Sequence, residues 1–532
     1  MAKKDSRDED IAAASLEQMR RSNSGTDLSE FENSGAKVFK ARPSRAVRSV
    51  NWHEVQATYL PYVLLLAVGV LIAQVFEEAI DNTQPLTEMA VNVQGFFKTA
   101  QSEVLVDLGW RSLILVLGLT YWVSTSRRKV YLIDFATWKA PSSWKVSHQD
   151  VLKILRAQRC YTEESIEFMG RILAKSGVGP STAWPPGAMR CLADPSVTSD
   201  RSCEAARTEA EVVIFDVVAA ALEKAHIKPH DVDILIINCS LFSPTPSLCS
   251  MVVHKFGLRS DIVSYNLSGM GCSAGLLSVD LAKDLLAARP NSRALVVSTE
   301  IITQNLYLGN ERSMLLQNTL FRCGGSALVI SNRWQDSFRA RLRLVCTVRT
   351  HGQGREAYEA VFQCEDSGAN SGVRLSKDIV KVAGRAMEKN FTSLGPLVLP
   401  LLEQAKVVKS MAMRRITKDL RHFLVTRKSP WAQSIPQVPI YSPDFSKGLD
   451  HFCIHAGGRG VIDGIEKNLK LSPEKIEASR DTLFNYGNTS SSSIWYEMEY
   501  ILEKQRTRRG QRVLQVAFGS GFKCNSAVWV IT

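Results

Sequence analysis

The stretch Tyr265-Asn-Leu-Ser-Gly-Met-Gly-Cys-Ser-Ala-Gly-Leu276 decides how this chain is interpreted. An apolar run before it predicts a buried strand, and leucines at four-residue spacing after it predict a helix. Cys272 therefore lies where a strand turns into the first turn of a helix. The free N–H groups and partial positive charge of a helix N-terminus favour thiolate over thiol. On these residues alone, Cys272 is either an activated nucleophile or a buried structural cysteine.

The composition is typical of a globular chain of several domains. Its 532 residues leave room for about two to four ordinary domains, and its 45% hydrophobic content can fill a large core. The net charge of +12 predicts anionic partners: membrane headgroups, nucleic acid or phosphate-bearing substrates. Neither zinc-finger spacing nor an RNP-type aromatic run is present, which argues against nucleic acid. The 11 cysteines include no C-x-x-C pair and are predicted to be reduced thiols facing the cytosol.

The first 130 residues differ from the rest of the chain. Residues 1–50 are polar and Ser-rich, which predicts disorder. Within residues 51–130, the segment 55–76 carries no charged residue over 22 positions, enough for a helix to span a bilayer. A second segment, 104–124, is a weaker candidate because it contains an aspartate and an arginine. Together the two segments predict an N-terminal transmembrane helical hairpin.

Basic residues flank this hairpin on its outer sides. They are Lys37, Lys40, Arg42, Arg45 and Arg48 before the first segment, and Arg127, Arg128 and Lys129 after the second. The loop between the segments is acidic. This asymmetry predicts that both flanks, and the whole body after residue 130, lie on the cytosolic side. Two alternatives stay open: a second segment that enters only one leaflet, and a pair of buried core helices.

From residue 131 onward, strand-like and helical patterns alternate. Apolar strand-like runs at 232–239 and 294–299 enclose helical stretches, and the same rhythm returns with strands at 452–455 and 513–518. Such alternation predicts a layered α/β body with largely buried sheets. Two halves of similar rhythm are expected, 131–335 and 336–532.

The segment 406–428 interrupts the rhythm of the second half. It is rich in Lys and Arg, and its apolar residues recur at four-residue spacing. This pattern predicts a basic amphipathic helix. Such a helix lies either on a membrane surface or on the protein body as an ordinary solvated helix, and the sequence leaves both interpretations open.

Two later stretches offer partners for Cys272. His451 and His455 flank a strand-like phrase that runs into a Gly-rich turn. A metal pair is not favoured, because no carboxylate ligands accompany these histidines. A histidine at a strand end is better suited to act as a general acid or base, or as a hydrogen-bond donor. Asn488 follows Gly487 and could orient a substrate carbonyl. The serines after it are expected to cap the helix that begins near Ile494.

Cys272 in NLSGMGCSAG, His455 in HFCIHAGGRG and Asn488 in GNTSSSS together resemble the 3-ketoacyl-CoA synthases of the plant-type fatty acid elongase. The resemblance extends from about residue 105 to the C-terminus. Other stretches that carry it are NCSLFSPTPSLCSM (238–251), GNERSMLLQNTLFRCGG (309–325), SLGPLVLP (393–400) and FGSGFKCNS (518–526). It implies a thiolase-like body of two duplicated α/β halves in αβαβα layers. It also implies a homodimer at the endoplasmic reticulum membrane that works with the reductase and dehydratase of an elongase.

The resemblance further implies a reaction. Cys272 would accept an acyl group from acyl-CoA, and His455 and Asn488 would stabilise the enolate formed when malonyl-CoA loses CO₂. No cofactor beyond these CoA esters is implied. His351 and His451 match further family histidines and become secondary active-site candidates, although either could be structural. One departure is Phe484, which stands where family members usually have histidine.

Three alternatives remain. A Cys-His-Asn trio also serves type III polyketide synthases of the chalcone synthase kind, and a related trio serves hydroxymethylglutaryl-CoA synthases. Both are typically soluble, so the predicted hairpin argues against them. The third alternative is a membrane-anchored lipid-binding subunit with a degenerate site. The presence of cysteine, histidine and asparagine together argues against that.

Overall fold

The computed structural model describes residues 118, 129–427, 436, 438–439 and 441–532. The strands of this part are β1 (Tyr131–Thr137), β2 (Lys145–Val146), β3 (Thr182–Ala183), β4 (Ile234–Asn238), β5 (Val263–Leu267), β6 (Arg293–Thr299), β7 (Gly325–Ser331), β8 (Leu342–His351), β9 (Val361–Glu365), β10 (Ser371–Leu375), β11 (His451–Ile454), β12 (Arg512–Gly519) and β13 (Lys523–Ile531). The α-helices are α1 (His148–Ala157), α2 (Glu163–Lys175), α3 (Pro186–Ala193), α4 (Cys203–Lys224), α5 (Leu248–Phe256), α6 (Ala274–Ala288), α7 (Arg312–Leu320), α8 (Arg355–Tyr358), α9 (Ile379–Val398), α10 (Leu401–Thr426), α11 (Arg459–Leu469), α12 (Pro473–Tyr486) and α13 (Ser493–Lys504).

One mixed sheet runs through the body in the order β11-β12-β13-β8-β1-β7-β6-β4-β5. On one side of its centre, β1 is antiparallel to β7, β7 is antiparallel to β6, and β6 is parallel to β4. On the other side β8 repeats this pattern with β13, β12 and β11. The two halves of the sheet thus share one strand pattern. The predicted division at 335/336 lies between β7 and β8.

The apolar residues of the strands alternate between two faces, as expected for a sheet covered on both sides. Leu235 and Ile237 point into a cluster with α4, whereas Ile234 and Ile236 point into a second cluster with α6. The second cluster also takes in α13 and Trp529 from the other half of the sheet. A third cluster packs α9 and α11 against the remaining face of that half. Helices and sheets therefore alternate in five layers, with α6 and α13 in the centre.

The two half-sheets diverge from a common edge. β1 and β8 pair only through their first residues, Tyr131 with Arg343 and Leu132 with Leu342. We call this edge the base rim. It contains the starts of β1, β8 and β12 and the end of β13. The opposite edge, the site rim, contains the ends of β4, β5, β6 and β12. There the halves meet again, since a Cβ on Gly271 would lie 2.5 Å from the backbone nitrogen of Ser520.

The predicted membrane segments 55–76 and 104–124, and the predicted disordered residues 1–50, lie outside the described residues, apart from residue 118. Within the part of the chain that is described, no helix is both long and apolar enough to span a membrane. The basic segment predicted at 406–428 forms α10, which the structure places at Leu401–Thr426.

Candidate active site

Cys272 lies at the site rim, on a tight turn between β5 and α6. Gly269 and Gly271 have φ values of +65° and +68°, which side chains with a Cβ rarely adopt. Residues 271–273 form one 3₁₀ turn that leads directly into α6. The strand–turn–helix order predicted around Cys272 is therefore confirmed, and the sulfur lies at the N-terminal end of a central helix. The prediction of a buried strand that ends before Tyr265 is wrong, because β5 continues to Leu267 and is partly exposed at the edge of the sheet.

The sequence predicted that the helix terminus lowers the pKa of the Cys272 thiol, but in the structure this pKa is raised. The pKa of Cys272 is raised to about 12, because burial penalises the thiolate and the nearby Glu300 carboxylate adds to that penalty. A hydrogen bond with Ser490 opposes the rise. This direction runs against the thiolate that the helix terminus was predicted to favour, and the activation of Cys272 stays a prediction. A raised pKa favours the neutral thiol at neutral pH, so attack by the sulfur requires the loss of its proton.

Ser490 joins Cys272 to a buried carboxylate. Its hydroxyl oxygen lies 3.4 Å from the Cys272 sulfur and 2.9 Å from Glu300 Oε2. The hydroxyl carries one proton, so it donates to one of these acceptors at a time. When Glu300 is ionised, it accepts the hydrogen bond from the Ser490 hydroxyl, and the thiol then becomes the donor to Ser490. When Glu300 is protonated, Ser490 is free to donate to the sulfur.

Glu300 directly follows β6 and is almost completely buried. Its Oε1 accepts the backbone N–H groups of Ser240 and Leu241 at 3.0 and 2.8 Å. Burial raises its pKa, while these hydrogen bonds act in the opposite direction. Buried carboxyl groups with a raised pKa are common in active sites, where their protonation state affects the neighbouring nucleophile.

Asn488 is fixed by the backbone on both sides. Its N–H donates to Leu320 O at 3.1 Å, and its carbonyl accepts from Arg322 N at 2.9 Å. In the side chain, Oδ1 accepts from Ser490 N at 2.9 Å, and Nδ2 donates to Gly457 O at 3.3 Å. The amide orientation is therefore determined, and its NH₂ group faces the turn that follows His455, with one N–H left over.

His455 follows β11 directly and is buried, with its backbone N–H donating to Val516 O at 3.0 Å. Its ring Nδ1 has no hydrogen-bond partner among the described residues. Burial lowers the pKa of this imidazole to about 4. At neutral pH the ring is uncharged, so one nitrogen can donate and the other can accept.

These contacts connect the three principal candidates. A path of hydrogen bonds leads from the Cys272 sulfur through Ser490 to the Asn488 side chain, and from there to Gly457, two residues after His455. All three residues lie at the site rim, although they are far apart in the sequence.

The two secondary candidates are placed differently. His351 ends β8 at the site rim and pairs with Lys523, and both partial burial and the nearby lysine lower its pKa. His451 begins β11, at the opposite end of that strand from His455. Its ring nitrogens lie 2.9 and 3.1 Å from the side-chain oxygens of Gln505 and Gln511. This position fits the structural alternative for His451.

The site contains functional groups that the sequence interpretation missed. The serines after Asn488 were expected to cap the following helix, but Ser492 at the N-cap of α13 makes no side-chain capping bond. Ser490 instead has a φ of +56° and turns its hydroxyl to Cys272. Glu300 lies in an ordinary Ser-Thr-Glu phrase after a strand. Only tertiary proximity reveals either role.

Phe484, the departure from the family pattern, lies near the end of α12 and is half-exposed. Its carbonyl accepts the N–H of Gly179 at 2.8 Å. Among the described residues, no group of three or more His, Cys, Asp or Glu side chains is arranged to hold a metal ion.

Comparison with known families covers most of the described body. A family model described as FAE1/Type III polyketide synthase-like protein matches residues 122–416. A second, described as 3-Oxoacyl-[acyl-carrier-protein (ACP)] synthase III C terminal, matches residues 446–531. The first match contains Cys272, and the second contains His455 and Asn488.

Several curated proteins are similar over about four fifths of the chain. The chain is 47% identical to 3-ketoacyl-CoA synthase 5 of Arabidopsis thaliana, over 79% of this chain and 80% of that protein. It is 48% identical to 3-ketoacyl-CoA synthase 6 of the same plant, over 80% and 81%. With probable 3-ketoacyl-CoA synthase 20 of Oryza sativa subsp. japonica it shares 48% identity over 77% and 74%.

Solved structures of low sequence identity share the fold. CsyB complexed with CoA-SH has a TM-score of 0.58 at 19% identity, covering 76% of this chain and 100% of that one. The fungal type III polyketide synthase ORAS gives 0.57 at 18%, with the same coverage. At such identities the likeness concerns the fold alone, and it confirms the layered α/β body.

Proposed function

The chain belongs to the 3-ketoacyl-CoA synthase family, and from this premise we propose that it condenses a long-chain acyl-CoA with malonyl-CoA. The products are a 3-ketoacyl-CoA, CO₂ and free CoA. The observation that carries the proposal is the hydrogen-bonded path that links Cys272, Ser490 and Asn488 to the turn after His455.

In the first half-reaction Cys272 accepts the acyl group. Its sulfur attacks the thioester carbonyl of acyl-CoA, a new C–S bond forms, and the bond to the CoA sulfur breaks. Because the thiol rests protonated, its proton must leave as the sulfur attacks. The proton finally reaches the departing CoA thiolate.

In the second half-reaction malonyl-CoA loses CO₂. The electron pair of the broken C–C bond moves onto the thioester carbonyl oxygen and forms an enolate. The free N–H of Asn488 and an N–H of neutral His455 stabilise that oxygen, and such donors typically contribute about 3–4 kcal/mol each. The enolate carbon then attacks the acyl-cysteine, and the Cys272 sulfur departs.

The predicted localisation extends this proposal. We place the chain in the endoplasmic reticulum membrane through a hairpin in residues 51–130, with its body in the cytosol, where both CoA esters are found. The charge asymmetry of the flanks supports this orientation. A homodimer, and cooperation with the reductase and dehydratase of an elongase, follow from the family resemblance.

The test separates the half-reactions. Membranes that contain the chain are incubated with labelled acyl-CoA alone, and label on the protein is measured. Malonyl-CoA is then added. We expect an acyl-protein first, followed by a 3-ketoacyl-CoA longer by the two carbons that malonyl-CoA contributes. Cys272→Ser abolishes both signals, because a neutral hydroxyl is a far weaker nucleophile. Cys203→Ser, a change at an exposed cysteine, preserves both.

The other outcomes identify the alternatives. An acyl-protein that never yields product indicates a degenerate lipid-binding subunit. Products that contain several malonyl-derived units per acyl chain indicate a polyketide synthase. Full activity of Cys272→Ser overturns the assignment of the nucleophile.

A further inference from the structure

Helix α10 turns its apolar residues away from the protein. Its 26 residues extend about 39 Å, and Glu403 is its only buried residue. Glu403 accepts hydrogen bonds from Tyr441 and Lys447 at 2.6 and 2.7 Å, and Ser410 accepts one from Tyr441 N at 3.3 Å. These polar contacts attach the helix to the body.

The other face of α10 is exposed and apolar. Val408, Ile416, Leu420 and Phe423 fall within about 120° of the helix circumference, and each is roughly half exposed or more. In an ordinary amphipathic surface helix, the apolar stripe faces the core. In α10 the orientation is reversed. Of the two interpretations left open by the sequence, this exposed apolar face favours the helix on a membrane surface.

Helix α10 begins at the base rim, where other exposed apolar side chains lie. Arg512, the first residue of β12, donates to Val398 O just before α10 starts. Between β7 and β8, the rings of Trp334 and Phe338 stack edge to face at 4.9 Å and are 72% and 74% exposed. They lie close to β1, the first strand of the body.

The base rim also presents unpaired positive charge. The loop between α13 and β12 contains Arg506, Arg508 and Arg509, all exposed. Its Gly510 bonds to Ile531 O at the end of β13, which places the loop at this rim. None of these three arginines forms an ion pair within the described part of the chain.

We infer that the base rim and the outward face of α10 rest on a lipid bilayer that carries anionic headgroups. Exposed aromatic and aliphatic side chains beside unpaired arginines have the composition of a bilayer-contacting surface. One further observation favours a lipid bilayer over a protein partner at this surface. The body starts at this rim with Val130 and Tyr131, and the predicted apolar segment 104–124 ends only a few residues earlier.

Site-specific photocrosslinking in the full-length chain tests this inference. The photoreactive residue p-benzoylphenylalanine replaces Ile416 or Trp334, and the chain is reconstituted into vesicles of phosphatidylcholine mixed with phosphatidylserine. Tyr358 provides a matched control, because it is an equally exposed aromatic residue next to the site rim. We expect lipid adducts at 416 and 334 and at least about tenfold fewer at 358.

Charge reversal tests the headgroup contribution. Arg508→Glu with Arg509→Glu is expected to lower the lipid adduct at 416 roughly tenfold or more, because two attractions to the anionic surface become repulsions. Arg374→Glu with Lys377→Glu, placed away from the base rim, leaves the adduct yield unchanged. Equal yields in pure phosphatidylcholine would overturn the anionic requirement.

Each remaining outcome contradicts the inference in a recognisable way. A crosslink between two copies at 416 assigns this face to a dimer. A crosslink to residues 51–128 without lipid assigns it to the chain's own N-terminal segment. A crosslink to an added acidic protein assigns it to a protein partner. Equal lipid adducts at all three positions, or none, show that the base rim has no preference for the bilayer.

Discussion

At the residue scale, the reactivity of Cys272 depends on how protons are distributed among its thiol, the Ser490 hydroxyl and the Glu300 carboxyl group. Ser490 has one hydroxyl proton and two acceptors, the sulfur and Glu300. The pKa of Cys272 is near 12, so its thiolate fraction, and with it the rate of alkylation by iodoacetamide, should rise about tenfold per pH unit through neutral pH. A plateau in that range would mean that the thiolate already predominates.

Removing the Ser490 hydroxyl should slow the nucleophile. The hydroxyl stabilises the thiolate, so Ser490→Ala is expected to reduce alkylation and acyl-enzyme formation roughly tenfold. Ser492→Ala is the matched control, since among the residues that the structure describes that hydroxyl bonds only to Thr489. Equal losses in the two variants would indicate a general disturbance of the serine tract.

Neutralising Glu300 should act in the opposite direction. Its charge raises the pKa of Cys272, and its carboxylate draws the Ser490 proton away from the sulfur. Glu300→Gln is therefore expected to shift the alkylation profile to lower pH by about one unit, which corresponds to about tenfold faster alkylation at a fixed pH. A shift to higher pH would show that Glu300 assists deprotonation.

Asn488 should serve only the malonyl step. Its spare N–H is proposed to stabilise the enolate, whereas the acyl step depends on Cys272. Asn488→Ala is expected to become acylated normally but to release CO₂ from malonyl-CoA at least about a hundredfold more slowly. The two rates are measured separately with label in each substrate. Normal decarboxylation with lost acylation would refute this division of roles.

At this scale the sequence predicted three residues that the structure brings to one rim, and it did not predict Ser490 and Glu300, which contact Cys272 and each other. Cys272, His455 and Asn488 are rare residue types in glycine-rich turns, and such turns mark the ends of strands. Ser490 and Glu300 are common residue types. Their roles depend on a contact between positions 190 residues apart, which no local pattern encodes.

At the scale of elements, apolar periodicity predicted most of the long buried strands of the sheet and about half of the helices. The central helix α6 and the strands around it are covered on both sides, so their apolar runs are strong signals. The hairpin β9–β10 was not predicted, because its residues are half-exposed and mixed in character. For α10 the helix was predicted, but not that its apolar face points outward. The direction of the apolar face depends on which residues of the body pack against the helix, and these are distant in sequence.

One side chain fastens helix α9 to the second half-sheet. Asn390 is fully buried, and its Nδ2 approaches Val348 O and Cys524 O at 3.2 and 2.9 Å. Asn390→Ala removes these buried hydrogen bonds and leaves a cavity, so we expect it to destabilise the body by about 2–4 kcal/mol, measured by thermal unfolding. Ser393→Ala, on the exposed side of the same helix, should change the stability by less than about 0.5 kcal/mol. Equal effects would mean that Asn390 contributes only helix propensity.

At the scale of the whole molecule, the two rims separate the reaction from the proposed membrane face. The eight residues of β12 connect them, a distance of about 26 Å. The reacting carbon would therefore lie well above the bilayer, where soluble CoA esters have access. This arrangement requires that the body and both flanks of the hairpin share the cytosolic side.

That topology can be tested with two glycosylation acceptors. Gln94→Thr creates an acceptor at Asn92 in the loop between the apolar segments, and Gly35→Thr creates one at Asn33 in the N-terminal flank. Because Lys and Arg are concentrated on the outer flanks, we expect a glycan at Asn92 and none at Asn33. In intact microsomes, protease should digest both the first 50 residues and the body. A protected body would invert the orientation. A body released by carbonate, with no glycan at Asn92, would mean that the apolar segments enter only one leaflet, and the contact at the base rim would then have to hold the enzyme on the membrane.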